Sequence, residues 1–163
     1  MAEVKIVEKI DWLKILGGYG VVKQDFEIAK AQLYEKLKQE PSTQDVIWSL
    51  FHQLIEKNKN DFYKLKMIYY EMALYLNEQG KDCSTELQLS HKMQLMMYKK
   101  VGIKIVKILT CGTGSCEQCR LLQDTSYTIK EALEKMPIPP KNCTNKMYDE
   151  NQGFCRCCYV ASF

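Results

Sequence analysis

Seven of the eight cysteines fall between Cys111 and Cys158, and only Cys83 precedes them. A segment this rich in thiols must hold them in disulfides, spend them on redox chemistry or gather them around a metal, and the redox compartment decides between these fates. The first ten residues, MAEVKIVEKI, alternate charged with apolar side chains and lack the continuous apolar core of a secretory signal. No stretch approaches the roughly 18 to 20 apolar residues of a membrane span. The expectation is therefore a reducing, cytoplasmic setting in which clustered cysteines bind metal or carry redox chemistry.

Zinc takes four soft or borderline ligands at the corners of a tetrahedron, and a pair of cysteines two residues apart can hold one metal from a tight knuckle. Cys116-Glu-Gln-Cys119 is such a pair. The small residues before it, Cys111-Gly-Thr-Gly-Ser115, let the backbone fold closely enough for its amides to approach sulfur. The other half of a site must come from Cys143 or from the cluster Cys155-Arg-Cys157-Cys158, with 23 residues between Cys119 and Cys143 and 11 more before Cys155. In an extended strand Cys155 and Cys157 face one side and Cys158 the other. The expected ligands are therefore Cys116, Cys119 and Cys143 with either Cys155 or Cys157, the expected cofactor is Zn2+, and Cys111 and Cys158 rank behind them.

Upstream, the apolar period is helical. Phe26, Ala29, Leu33 and Leu37 recur at spacings of three and four before Pro41, predicting a surface helix with one buried face. Ser42 and Asp45 form a capping-box pattern ahead of Val46, Ile47, Leu50, Phe51, Leu54 and Ile55. Residues 61–80 carry two apolar stripes, Phe62, Leu65, Tyr69, Met72 and Leu76 beside Tyr63, Met67, Tyr70 and Leu74, with Gly80 as a left-handed cap. A fourth helix is expected from a capping box at Thr85 and Gln88 to Lys99 and Lys100. The first 24 residues leave open a further helix through residues 4–16, with the Gly17-Gly-Tyr-Gly20 run as a turn.

Beyond Gly102 the period changes. Residues 103–110 are short and β-branched, which predicts a strand, followed by a short helix capped by Thr128 and Glu131 and a last strand in residues 154–163. The fold class read from these signals is mainly α: a four- or five-helix bundle over residues 1–102, followed by a small α+β, treble-clef-like zinc module over residues 103–163. The chain of 163 residues, 46% hydrophobic and 26% charged, has the balance of an ordinary globular protein of about one domain.

The string C-x-x-C-R-x-L at Cys116 to Leu122, the P-x-P-P at Pro137 to Pro140, a ligand residue at Cys143 and the C-R-C at Cys155 to Cys157 together resemble a phage motif. It is the C-terminal cysteine motif of the phage Mu F-like head-morphogenesis (minor capsid) proteins. The resemblance spans residues 116–157 and leaves the helical region without a counterpart. That family typically carries a histidine after the paired prolines, where this chain has Cys143, an exchange that keeps a zinc donor and removes a base.

Charge and histidine content narrow the function. A formal net charge of +3 gives little support to a nucleic-acid role, although Lys104, Lys107, Arg120, Lys141, Lys146 and Arg156 surround the cysteines. The only histidines are His52 and His91, so the cysteine-rich segment has no imidazole base of its own. It also lacks the H-x-E with P-C-x-x-C of a zinc deaminase. The expectation is a non-catalytic, intracellular zinc-binding adaptor of phage or mobile-element kind, with a macromolecular partner, a protein in preference to a nucleic acid, and no membrane. The alternatives are a nucleic-acid-binding zinc finger and a thiol redox protein using Cys116 and Cys119, whose C-x-x-C follows a strand in a thioredoxin-like manner.

Overall fold

The computed structural model describes residues 11–148 and 151–163. The first ten residues, and with them residues 4–10 of the expected first helix, lie outside them. Among the described residues the protein is mainly helical, with seven α-helices and a small antiparallel sheet of three strands. None of these helices is long and apolar enough to cross a membrane. The chain divides into two compact units, Met1–Leu54 and Ile55–Phe163.

In the first unit, α1 (Trp12–Gly17) starts where the Asp11 carboxylate accepts the Lys14 N–H at 3.2 Å. The Gly17-to-Gly20 run is a turn, and Gly20 sits at φ +84°, a backbone state that a side chain would strain. Then come α2 (Lys23–Leu37) and α3 (Thr43–Lys57), whose last turn carries the division between the units. The cap of α3 is reciprocal: Ser42 Oγ accepts the Asp45 N–H at 3.1 Å, and the Asp45 carboxylate accepts the Ser42 N–H at 2.9 Å. Trp12, Leu16, Ala29, Val46, Ile47, Leu50 and Phe51 are buried, with the Trp12 and Phe51 rings edge to face at 6.1 Å. The helix α2 differs from expectation. Its stripe is not a buried face, because Ala29 alone is buried, Phe26 and Leu33 are half-buried and Leu37 is exposed.

In the second unit, α4 (Phe62–Glu78) and α5 (Ser84–Lys100) form an antiparallel hairpin, tied where Ser90 Oγ donates to the Lys66 carbonyl at 2.9 Å. Asp61 caps α4 by accepting the Lys64 N–H, and Gly80, at φ +70°, ends it. Tyr63 is exposed rather than part of a second buried stripe. The start of α5 also departs from the capping box expected at Thr85 and Gln88. The Asp82 carboxylate accepts both the Ser84 N–H and hydroxyl, so the chain enters the helix one residue earlier and Thr85 lies inside it.

The sheet has the order β2-β1-β5, antiparallel throughout, with β1 (Ile105–Leu109) between β2 (Ser126–Thr128) and β5 (Cys158–Ser162). Ile108 faces Tyr159 across the ladder, and Val106 lies between Tyr127 and Ala161. Strand β1 alternates, burying Val106 and Ile108 and exposing Ile105, Lys107 and Leu109. β5 is an edge strand whose Tyr159 carbonyl is claimed by α5, accepting from Gln94 Nε2 at 2.9 Å and Tyr98 Oη at 3.3 Å. That occupies a backbone group an edge would otherwise leave open to another chain. A short α6 (Glu117–Arg120) carries Cys119, and α7 (Ile129–Lys135) begins with the expected reciprocal cap of Thr128 and Glu131. A small hairpin pairs β3 (Lys146–Tyr148) with β4 (Asn151–Gln152).

One core runs through this unit, from Ala73 and Leu95 on the helices through Val106, Ile108 and Tyr159 to Cys119, Cys155 and Cys157. The expected bundle over residues 1–102 is thus two sets of helices, and the boundary expected after Gly102 falls inside the second unit. A helical period shows that a helix has an apolar face, not which surface covers it, and a sheet serves α4 and α5 as well as another helix would.

Two outcomes test this packing. Ile108→Ala should lower stability in urea unfolding by about 3 kcal/mol, the usual range for a fully buried Ile, whereas Leu109→Ala on the exposed face should change it by well under 1 kcal/mol. His91 is buried edge to face on Tyr159, and burial, reinforced by the Lys66 charge and opposed by Gln94, lowers its pKa from 6.5 to about 4. The native state therefore binds the proton less readily than the unfolded chain, so the His91 contribution is intact above pH 6.5 and lost progressively as pH falls towards 4. In His91→Gln that part of the acid destabilisation, up to about 3 kcal/mol, should be missing when its pH–stability curve is subtracted from that of the native sequence.

Candidate metal centre

Three chain segments bring thiols together. The 3-10 turn at Gly112–Gly114 follows β1 and leads into Cys116, which sits in extended backbone just ahead of α6. The one-turn helix then places Cys119 one helical step on, facing the core. Cys143 follows the Pro139-Pro140 pair, and the β3–β4 hairpin returns the chain so that Cys155 and Cys157 arrive from the opposite side.

The resulting separations are short. Cys116 Sγ and Cys119 Sγ each lie 3.8 Å from Cys143 Sγ, and Cys119 Sγ lies 3.7 Å from Cys155 Sγ. Two sets of three sulfurs, Cys116, Cys119 and Cys143, and Cys119, Cys155 and Cys157, each have all members within 4.8 Å of one another. Cys119 belongs to both. All five cysteines named from the sequence as candidate ligands are therefore in one cluster, which could hold a metal ion. Cys111 and Cys158 stand outside both sets: Cys111 is exposed, with its thiol directed at the Arg156 carbonyl at 3.6 Å, and Cys158 is half-buried. Cys83 is buried elsewhere in the core, and burial, with Asp82 and Glu86 nearby, pushes its thiol up to about 11.

The electrostatics of the cluster set one thiol apart from the others. Burial works against the Cys116 thiolate, yet the backbone amides of Cys119 and Thr144 and the thiols of Cys119 and Cys143 outweigh it and bring its pKa down to about 7. Cys119 is pushed well up, chiefly by burial. Cys143 rises too, first through its thiol neighbour Cys155 and then through burial, against the Asn145 amide that favours its thiolate. The Cys143 thiol lowers Cys155, but Cys157 and burial outweigh it and set Cys155 at about 12. One thiolate is tolerable here and several together are not. A divalent cation would reverse that balance, because thiolate–metal bonds supply the compensating charge. The amides of Cys119, Thr144 and Asn145 already point at sulfur, the outer-shell pattern that orients metal-bound thiolates.

Asn145 is the functional residue that spacing arguments missed. It is buried, its carbonyl accepts the Gly153 and Phe154 N–H groups at 2.9 and 3.2 Å, and its Nδ2 donates to the Phe154 carbonyl at 3.1 Å. These three bonds close the base of the hairpin and fix Cys143 against Cys155. Gly153 completes the turn at φ +84°. The available signal was an amide side chain two residues after a candidate ligand, a position suited to local backbone hydrogen bonding. Neither histidine belongs to the thiol sets: His91 stacks on Tyr159, and His52 lies edge-on to Trp48 in α3.

No protein-family model, curated protein or solved structure matches this chain.

Asn145→Ala removes one donor and leaves the Phe154 carbonyl buried without it, so it should destabilise the protein by about 1 to 3 kcal/mol. Its effect on bound metal should be larger than that of a surface change, a loss of about tenfold or more in affinity, measured by competition with a chromogenic chelator.

Proposed function

We propose that the thiol cluster is a closed, structural zinc centre and that the protein is a non-catalytic zinc-binding adaptor, with its zinc module holding a surface for a macromolecular partner. The observation that carries the zinc reading is metric. A Zn–S bond of about 2.3 Å in a regular tetrahedron requires sulfurs about 3.8 Å apart, and three S···S separations in the cluster are 3.7, 3.8 and 3.8 Å. An all-thiolate donor set favours zinc over the hard cations calcium and magnesium, and with five thiols for four positions nothing is left open for substrate or water. A hydrolytic zinc site needs both an open position and a nearby base, and neither thiol set includes a histidine.

A protein partner is favoured over a nucleic acid. The formal charge of +3 is modest, and α2 leaves Ile28, Tyr34 and Leu37 exposed, which is apolar and aromatic surface of the kind protein interfaces use. The resemblance of residues 116–157 to the Mu F-like cysteine motif supports an origin in a phage or mobile element. The antiparallel order β2-β1-β5 offers no parallel crossover of the thioredoxin kind, which weighs against the redox alternative.

Elemental analysis of protein purified without added metal or chelator should give zinc bound to the chain. Cys119→Ala removes the sulfur common to both sets and should release the metal and the order of residues beyond Thr110, while Cys83→Ala should leave the metal content unchanged. Structural zinc contributes on the order of 10 to 16 kcal/mol in isolated fingers, against a net stability of about 5 to 15 kcal/mol for a whole domain, so the loss should be plain in amide exchange. Metal-free protein with all its C-terminal thiols freely titratable in the folded state would overturn the reading.

A further inference from the structure

A tetrahedral centre uses four thiolates, and this one has five. The fifth is not a bystander at the rim: Cys155 and Cys157 are 1% and 3% exposed, are two residues apart on the same chain segment, and both lie within 4.8 Å of Cys119 Sγ and of each other. With a metal held by Cys116, Cys119 and Cys143, Cys155 at 3.7 Å from Cys119 stands at the tetrahedral edge. Cys157 lies within 4.8 Å of both Cys119 and Cys155, beside that edge, and side-chain torsions can change which of the two sulfurs is presented.

We infer that the fourth coordination position is shared, Cys155 and Cys157 exchanging as the closing ligand of a single metal ion while Cys116, Cys119 and Cys143 stay bound. This rests on the proposed metal centre and specifies it. In the exchange one metal–sulfur bond breaks at Cys155 as another forms at Cys157, and the proton of the Cys157 thiol passes to the departing Cys155 sulfur. Charge, metal and proton count are conserved, and no oxidant is involved. The resting fifth thiol donates its S–H to a neighbouring thiolate, so neither arrangement buries an uncompensated charge. The loop gains a way to move at Arg156 without losing the metal. Arg156 sits between the two ligands, and its exposed side chain is carried by whichever of them is bound.

The test uses the full chain loaded with Co2+, whose visible spectrum distinguishes four thiolate ligands from three, alongside native mass spectrometry for metal count. One metal per chain and a four-thiolate spectrum are expected for the native sequence, for Cys155→Ser and for Cys157→Ser alike, with each single variant losing less than about tenfold in affinity because the other sulfur takes over. The double variant should fall to a three-thiolate spectrum and lose far more, as should Cys116→Ser. A three-thiolate spectrum for one single variant with no change in the other would overturn the exchange and identify a fixed ligand. Two metals per chain would overturn it in favour of a bridged pair sharing Cys119. No metal in the native sequence would instead sink the metal centre itself. Cadmium NMR of the native chain gives a check that needs no substitution: couplings to the β-protons of five cysteines, averaged at Cys155 and Cys157, are expected, and full couplings to four alone would refute the exchange.

Discussion

Everything in the second unit depends on burying sulfur without burying its charge. Cys119, Cys155 and Cys157 belong to the same core as Val106, Ile108, Phe154 and Tyr159, and as neutral thiols they pack there like small apolar side chains. As thiolates they would carry charge into an apolar interior, which is costly unless that charge is paired. Two solutions satisfy that constraint: all thiols protonated, or several deprotonated around a divalent cation. The backbone amides aimed at Cys116 and Cys143 stabilise negative sulfur and are spent to no purpose in the first solution. The local structure is prepared for the second.

The helical hairpin makes that preparation rigid. β1 is held on both sides by antiparallel partners, and α5 reaches over the outer one to bond the Tyr159 carbonyl through Gln94 and Tyr98. Cys158 begins β5, so the strand that α5 anchors is continuous with the segment bearing Cys155 and Cys157. On the other side, β1 runs into the turn that leads to Cys116. The two thiol segments therefore leave neighbouring ends of paired strands, and the ladder from Leu109 and Cys158 inwards fixes their distance. Cys143 has no strand to fix it and depends on Asn145 instead.

Much of this was legible in the chain. Capping pairs at Ser42 with Asp45 and at Thr128 with Glu131 mark helix starts because the reciprocal hydrogen bonds are local and need no tertiary context. The alternating face of β1 follows from strand geometry in the same way, whereas the last strand, expected over residues 154–163, begins only at Cys158 and leaves Cys155 and Cys157 outside it. What could not be read were the relations between elements. Thr85 and Gln88 have the letters of a capping box, but Asp82 competes for the same turn and wins because its carboxylate takes two donors from Ser84. The stripe on α2 promised a buried face, and only Ala29 is covered. Periodicity records an apolar surface without naming what, if anything, lies on it. Asn145 shows the same limit at the site, since its role is to join residues far enough apart that no spacing rule connects them.

The surplus of sulfur is best understood through the same local geometry. A chain that buries Cys155 and Cys157 on either side of an exposed Arg156 cannot offer the first to a metal without placing the second near it, so redundancy follows from their spacing rather than from an additional device. Arg156, lying between them, must face the other way, into solvent, and it is exposed. Arg156 is thus an exposed cation placed between two buried candidate ligands. A charged side chain carried on a buried segment of this kind would lower the ordering cost of association with the macromolecular partner proposed above.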